Sequence, residues 1–163
     1  MAVNKEKYEQ VVIYLCSKLG GTLKGKKKLA KLLYFVDFDF FEKNQKSITG
    51  DIYKALPMGP FPVKLEEITV GMKKKKKISI ENIIEREGYG PTEIYKCLVK
   101  PDLSVFEDDE IKMIDRVVLK YGNLTGRQLE DITHAEAPYI GTELKKEIPY
   151  ELAFYRGTEF NEK

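Results

Sequence analysis

Apolar residues recur with a period of 3.6 near the start of the chain, which predicts two α-helices. The first covers residues 4–20 and ends at Gly20-Gly21, because glycine readily adopts the left-handed backbone that closes a helix. Its apolar face consists of Tyr8, Val11, Val12, Leu15 and Leu19.

The second helix, over residues 26–44, is apolar around most of its circumference. Its apolar side chains are Leu29, Leu32, Leu33, Tyr34, Phe35, Val36, Phe38, Phe40 and Phe41. A helix that is apolar on nearly all sides is usually buried, so we expect it at the centre of the core. Asp37 and Asp39 lie inside this aromatic stretch, where a carboxylate must be hydrogen-bonded or reach the surface. The sequence favours a structural role for both.

The middle of the chain changes to a mixture of alternating and helical patterns. It predicts a strand over residues 52–56, a helix over residues 64–72, and a β-hairpin formed by residues 78–84 and 92–99 around a turn at 88–91. Pro57, Pro60 and Pro62 should stop the first strand, because proline lacks the N–H group that a β-ladder needs.

The helical pattern returns over residues 108–121, where acidic residues occupy the first turn and Gly122 follows the last. Thr125 and Gln128 form a capping-box pattern, which predicts a further helix over residues 126–134. His134 ends it, and a lone histidine there is usually a cap or a hydrogen-bond donor to the core.

The elements together predict a mainly α (α+β) fold. We expect a single helical domain over residues 1–163, with five to seven helices around a central apolar helix and a small β-hairpin or sheet. Beyond Pro138 the pattern weakens, and a short helix near Pro149 is the one element expected there.

Composition excludes several classes of protein. A chain of 163 residues with 42% hydrophobic and 33% charged residues is typical of one globular domain. No run of about 18 apolar residues predicts a membrane span, and the first 20 residues do not resemble a signal peptide, so we expect a cytoplasmic protein. Two cysteines and one histidine are too few for a structural zinc site. We assign no catalytic residue, no metal ligand and no cofactor.

Charge is distributed unevenly along the chain. Residues 1–80 hold 17 basic and 8 acidic residues, whereas residues 81–163 hold 11 basic and 18 acidic residues. This separation favours an anionic partner or self-complementary association, unless the lysines only solvate the surface. An exposed, mobile loop and a possible anion contact are predicted for a run of five like charges, namely Lys73, Lys74, Lys75, Lys76 and Lys77.

One ordered set of short motifs is more informative than periodicity. It consists of KLLYFVDF at residues 31–38, ITGDIYKA at 48–55, GPFP at 59–62, LEDITH at 129–134 and IPY at 148–150. In this order and spacing the chain resembles the SocA-like, or Panacea, domain family, over nearly its whole length. The most specific part is Gly50-Asp51-x-Tyr53-x-Ala55 followed by Gly59-Pro60.

The resemblance implies a non-enzymatic antitoxin that neutralises a cognate toxin protein by direct binding, in a bacterial or phage toxin–antitoxin system. It also implies a protease as a possible partner, because one family member delivers its toxin to a ClpXP-type protease. The candidate partner-binding residues are Asp51, Tyr53, Gly59, Pro60 and Phe61.

Two interpretations of these candidate residues remain open. They form a rigid, aromatic-edged surface for a partner, or they only fix the fold. We expect Tyr53 to fix the fold, whereas Asp51, as an acidic side chain at a turn, should reach solvent.

Two further classes of function compete with an antitoxin. A nucleic-acid-binding regulator would use the basic first half and the helix-turn-helix-like spacing around Gly122, but Glu130 and Asp131 make the second helix acidic, so binding should be weak and salt-sensitive. A hydrolase or transferase would use buried carboxylates such as Asp37, Asp39 and Asp51, but no second motif supports it.

Overall fold

The computed structural model describes residues 2–88 and 90–160. Within them lie six α-helices, five β-strands and two 3-10 helices, which confirms the mainly helical α+β fold. The helices are α1 (Lys5–Lys18), α2 (Lys26–Asn44), α3 (Leu65–Lys74), α4 (Asp108–Tyr121), α5 (Gly126–His134) and α6 (Ala137–Ile140). The strands are β1 (Thr22–Lys24), β2 (Tyr53–Leu56), β3 (Gly59–Pro62), β4 (Ile78–Ile83) and β5 (Thr92–Cys97). The 3-10 helices span Leu103–Val105 and Tyr150–Tyr155.

Helix α2 lies at the centre of the core, as its apolar circumference predicts. Every residue from 29 to 41 is buried. Helices α4 and α5, strand β3 and the 3-10 helix at Tyr150–Tyr155 pack against it. Aromatic stacking contributes on two sides, since Phe35 lies 3.8 Å from Tyr121 and Phe38 lies 4.5 Å from Tyr150 between ring centroids.

The helix ends follow local sequence signals. In the predicted capping box of α5, the Gln128 N–H donates to Thr125 Oγ1 over 3.1 Å and the Thr125 N–H donates to Gln128 Oε1 over 2.9 Å. Glu107 and Glu110 form a second capping box at the start of α4. The 3-10 helix that begins at Tyr150 confirms the short helix expected near Pro149.

Strands β4 and β5 form the predicted hairpin, in which Ile80 lies opposite Tyr95. Strand β1 adds a third, outer strand to β5, so that the sheet order is β1-β5-β4. Sequence patterns missed β1, because a three-residue strand directly after the glycine pair at 20–21 has too little periodicity to be detected.

The two remaining strands, β2 and β3, form a separate hairpin. Strand β2 ends at Leu56, directly before Pro57, as predicted, but Pro60 and Pro62 lie within strand β3, which the sequence did not predict. Ala55 lies opposite Pro60 and Tyr53 lies opposite Pro62. The Ala55 N–H points away from β3 and donates to the Lys146 carbonyl over 3.0 Å. The prolines therefore occupy positions whose N–H groups would point to the outer edge, where the ladder needs no donor.

A buried arginine fastens the end of the described chain to α2. Arg156 donates from Nη2 to Asp39 over 2.6 Å, from Nε to Glu42 over 3.0 Å and from Nη1 to Glu136 over 3.1 Å. Arg116 of α4 donates to the second oxygen of Asp39 over 3.0 Å. We call this group the arginine clamp; its side chains join α2, α4 and the segment after the last 3-10 helix.

Candidate functional site

The signature segment, residues 48–62, places its most specific residues inside the molecule. Side chains along a strand alternate between two faces, and here Asp51, Tyr53 and Ala55 are buried whereas Ile52 and Lys54 are exposed. The segment therefore divides into residues that contact the core and residues that face solvent.

Asp37 of α2 organises the buried side of the segment. Its Oδ1 accepts hydrogen bonds from the Ile48 and Thr49 N–H groups over 2.9 and 2.8 Å. Its Oδ2 accepts from Thr49 Oγ1 over 2.5 Å and from Tyr53 Oη over 2.6 Å. Burial raises the pKa of Asp37 to about 6, against the effect of these four donors, which lowers it. Tyr53 is fully buried, and this hydrogen bond joins it to α2.

Asp51 is also buried, so the expectation that it reaches solvent is wrong. Its carboxylate accepts hydrogen bonds from Tyr8 Oη over 2.7 Å, from the Ile52 N–H over 2.7 Å and from the Lys64 N–H over 3.0 Å. Burial raises the pKa of Asp51, while these donors lower it. The turn packs against α1 and the N-terminal segment instead of projecting into solvent. The approach is so close that a Cβ on Gly50 (φ 76°) would overlap the Ala2 carbonyl oxygen.

An open cleft lies on the solvent side of the signature segment. Its volume is about 430 Å³, and we call it the signature cleft. Its lining residues are Gly50, Asp51, Ile52, Glu147, Pro149, Tyr150 and Glu151. The two walls are joined by hydrogen bonds, because Tyr150 Oη donates to the Asp51 carbonyl over 2.6 Å and the Ile148 N–H donates to the Tyr53 carbonyl over 2.7 Å.

Gly59 and Pro60 lock the β2–β3 hairpin onto α2. Lys31 is only 1% exposed, and its Nζ donates to the Pro60 carbonyl over 3.0 Å. A Cβ on Gly59 (φ 110°) would lie 2.8 Å from Lys31 Cε and 3.0 Å from Thr133 Oγ1, so only glycine fits without a shift. Burial lowers the pKa of Lys31 to about 8. Phe61, in the same strand, is half-buried and packs on the core.

The tip of this hairpin is held by α5 and α6. His134 Nε2 lies 3.0 Å from the Pro57 carbonyl, so the histidine contacts the exposed hairpin tip and not the core. Tyr139 Oη donates to the Leu56 carbonyl over 2.7 Å, and its ring meets the His134 ring at 4.5 Å. Met58, which directly follows these two anchored residues, remains 61% exposed.

The lysine run begins in the last turn of α3 and ends directly before β4, so the prediction of a loop over its whole length is wrong. Lys73 and Lys74 lie in the last helical turn, where their charges complement the helix C-terminus. Lys76 adopts a left-handed backbone, with φ 59°. Residues 73–76 are exposed, as their charge predicts.

Two lysines of the run bind a buried carboxylate. Lys75 Nζ and Lys77 Nζ donate to Glu9 of α1 over 3.0 and 2.8 Å, and Glu9 is 3% exposed. Burial raises the pKa of Glu9, but the hydrogen bonds from Lys77 and Lys75 outweigh it and the pKa is lowered. The run is therefore partly structural.

The predicted site residues thus fall into two groups. Asp51, Tyr53 and the residues of β3 come together around α2, whereas the lysine run lies at the end of α3. Ile52 was not predicted, because the motif leaves the position between Asp51 and Tyr53 unspecified. Glu147 and Glu151 had no signal, since the pattern beyond Pro138 is weak.

Residues 2–88 and 90–160 contain no group of three or more His, Cys, Asp or Glu side chains arranged to hold a metal ion. Both cysteines are free, and burial raises the pKa of Cys16 to about 12. In the same described ranges, no helix combines the length and hydropathy needed to cross a membrane.

Comparison with protein families places these features in context. A family model described as antitoxin SocA-like, Panacea domain, matches residues 29–139, which is more than half of the chain and includes the whole signature segment. No curated protein and no solved structure matches the chain.

Proposed function

Because the chain belongs to the antitoxin SocA-like, Panacea domain family, we propose that it neutralises a cognate toxin by direct, non-enzymatic protein binding. The observation that carries this proposal is the family match across the signature segment. The buried polar residues of that segment use their hydrogen-bonding groups within the chain, which supports a scaffolding role for them.

A rigid scaffold favours binding, because a surface that is already ordered loses little conformational entropy when a partner docks. Here Asp37 and Lys31 of α2 and Tyr139 of α6 fix the hairpin from two elements. The residues that the scaffold presents to solvent include Ile52 and Met58, which are 41% and 61% exposed. Partner contact through these exposed residues, with Asp51, Tyr53, Gly59, Pro60 and Phe61 holding them in place, is the interpretation we favour.

Co-expression with the product of the adjacent reading frame tests the proposal. We expect the chain to restore growth to cells that express a toxic neighbour, and the two purified proteins to form a stable complex. Titration of toxin activity in vitro separates binding from catalysis. Direct binding requires about one equivalent of the chain per toxin, whereas full neutralisation by a small fraction of an equivalent would contradict a non-enzymatic mechanism.

The lysine run supports a second, weaker activity. Lys73, Lys74 and Lys76 are exposed and pair with no carboxylate within the described part of the chain, so they are free to contact an anion such as a nucleic-acid backbone. Retention on immobilised heparin should fall when all three are changed to Ala, and it should vanish at high salt. If the variant is retained as strongly as the wild type, these lysines do not contact the anion.

A further inference from the structure

We infer that the signature cleft is the docking site for the toxin, and that it receives an apolar segment of the toxin flanked by lysine or arginine side chains. This inference rests on the proposed antitoxin function and adds the location and the chemistry of the contact.

The shape and composition of the cleft support an apolar contact. Its volume of about 430 Å³ is large enough for a side chain and its neighbours, and Ile52, Pro149 and Tyr150 form apolar parts of its lining. Ile52 is 41% exposed, and next to it lies Val63, whose N–H donates to the Ile52 carbonyl over 2.9 Å. Apolar side chains exposed around one concavity are typical of a protein-binding surface.

The apolar surface continues along the last 3-10 helix. Phe154 lies three residues after Glu151, so both side chains fall on the same edge of a helix with three residues per turn. The ring of Phe154 packs 5.4 Å from Phe41 but remains 47% exposed. A partner segment that enters the cleft can therefore also cover Phe154.

Charge specifies the flanking residues of the partner. Every charged side chain that lines the cleft is a carboxylate, from Asp51, Glu147 and Glu151. Asp51 is hydrogen-bonded at the floor, whereas Glu147 and Glu151 are exposed and form no ion pair with the described residues. Lys54, which bridges to Glu147 through the backbone, lies outside the lining. Complementary potentials across an interface favour a cationic partner.

Charge reversal in the cleft tests this assignment. The test variant is Glu147→Lys/Glu151→Lys, and the matched control is Glu81→Lys/Glu87→Lys, which makes the same charge change on the exposed β4–β5 hairpin. Affinity for the toxin that the wild-type chain neutralises is measured by calorimetry at low and high salt. We expect the cleft variant to bind about tenfold or more weakly, with a smaller salt dependence, and the control to change by less than about threefold.

A second pair of variants tests the apolar contact, and their melting temperatures test whether misfolding causes any loss of binding. Ile52→Asp should weaken binding at both salt concentrations, while Glu147→Gln/Glu151→Gln should weaken it without any charge reversal. All variants should melt within about 2 °C of the wild type, because exposed substitutions rarely alter stability by more than about 0.5 kcal/mol.

The outcomes separate the inference from the function on which it rests. If the wild-type chain neutralises a toxin and folded cleft variants bind that toxin as tightly as the control does, the docking site is wrong and the antitoxin function stands. If the wild-type chain neither binds nor neutralises the toxic neighbour, the proposed function fails, and the docking site fails with it.

Discussion

Asp37 and Asp39 lie two positions apart on the same buried helix, yet their carboxylates are stabilised by different kinds of donor. Asp37 accepts from two backbone N–H groups and two hydroxyls, all of them neutral. Asp39 accepts from the guanidinium groups of Arg116 and Arg156. Burial raises both pKa values, but at Asp39 the two cations oppose it through their charge as well as their hydrogen bonds.

This difference determines which substitutions each of the two carboxylate sites tolerates. A hydroxyl that donates to a carboxylate can rotate and accept from an amide instead, whereas a guanidinium group has only donors. The neutral site is therefore adaptable in its hydrogen bonding, and the ionic site is not. The arginine clamp holds α2, α4 and the segment after the last 3-10 helix together, whereas the Asp37 site orders one turn.

Removal of the cation from the clamp should have the largest effect. Arg156→Met leaves Asp39, Glu42 and Glu136 close together with Arg116 as the one remaining arginine of the clamp. Breaking a buried ion pair on one side typically destabilises a protein by about 3–5 kcal/mol. We expect a loss of that size in urea-induced unfolding. A loss below about 1 kcal/mol would show that the clamp contributes no more than a surface ion pair.

Asparagine substitutions compare the two sites directly. In Asp39→Asn, the new Nδ2 faces a guanidinium N–H, and we expect a loss of about 3 kcal/mol. In Asp37→Asn, Oδ1 still accepts from Ile48 and Thr49, and Nδ2 donates to hydroxyls that accept in turn, so the loss should stay within about 1 kcal/mol. Unfolding of both variants at pH 7 measures the difference. Equal losses would contradict the proposed role of hydroxyl reversal.

The pH dependence of stability should distinguish Asp37 from its asparagine variant. The pKa of Asp37 in the folded protein, about 6, lies above the ordinary aspartate pKa of 3.8, so the folded state binds the proton more tightly. The contribution of Asp37 to stability is therefore greatest at low pH and falls as pH rises through about 6, by about 3 kcal/mol in total. Relative to the wild type, Asp37→Asn should become more stable between pH 4 and pH 7. A pH-independent difference in their free energies of unfolding would contradict the raised pKa.

Glu9 extends the comparison to a carboxylate at the edge of the core, where the effect should be smallest. Lys75→Ala/Lys77→Ala removes both of its cations, which are partly exposed and screened, so we expect a loss of about 1 kcal/mol. Because the folded-state pKa of Glu9 is lowered, this contribution is present at neutral pH and disappears as pH falls through that pKa.

The matched control for Glu9 is Lys73→Ala/Lys74→Ala, on the same helix end. It should change the free energy of unfolding by less than about 0.5 kcal/mol, because these side chains are exposed. Thermal and urea melts of the two double variants decide the point. Equal losses would mean that the position of a lysine within the run has no influence on stability.

The sequence predicts local features of this fold better than distant contacts. The apolar circumference of α2 and the capping box at Thr125 depend only on residues that are close in sequence, and both predictions are confirmed. Strand β3 was missed because proline was treated only as a strand breaker, although its outer-edge positions tolerate proline.

The candidate site was harder to predict because its parts are far apart in the chain. Asp51 is buried by Tyr8, 43 residues away, and its carbonyl accepts from Tyr150, 99 residues away. No short pattern encodes such pairs. The residues that line the cleft beside Ile52 come from a segment whose periodicity is weak, so their convergence is visible only in three dimensions.

The arginine clamp also sets the order in which the molecule can be completed during its synthesis. Asp39 and Glu42 leave the ribosome early, but their partner Arg156 follows 117 and 114 residues later. Until Arg156 emerges, Glu42 lacks its arginine partner and Asp39 can pair only with Arg116. Contacts of such long range form late. Docking of Arg156, and not the appearance of the signature segment, thus completes the packing around α2.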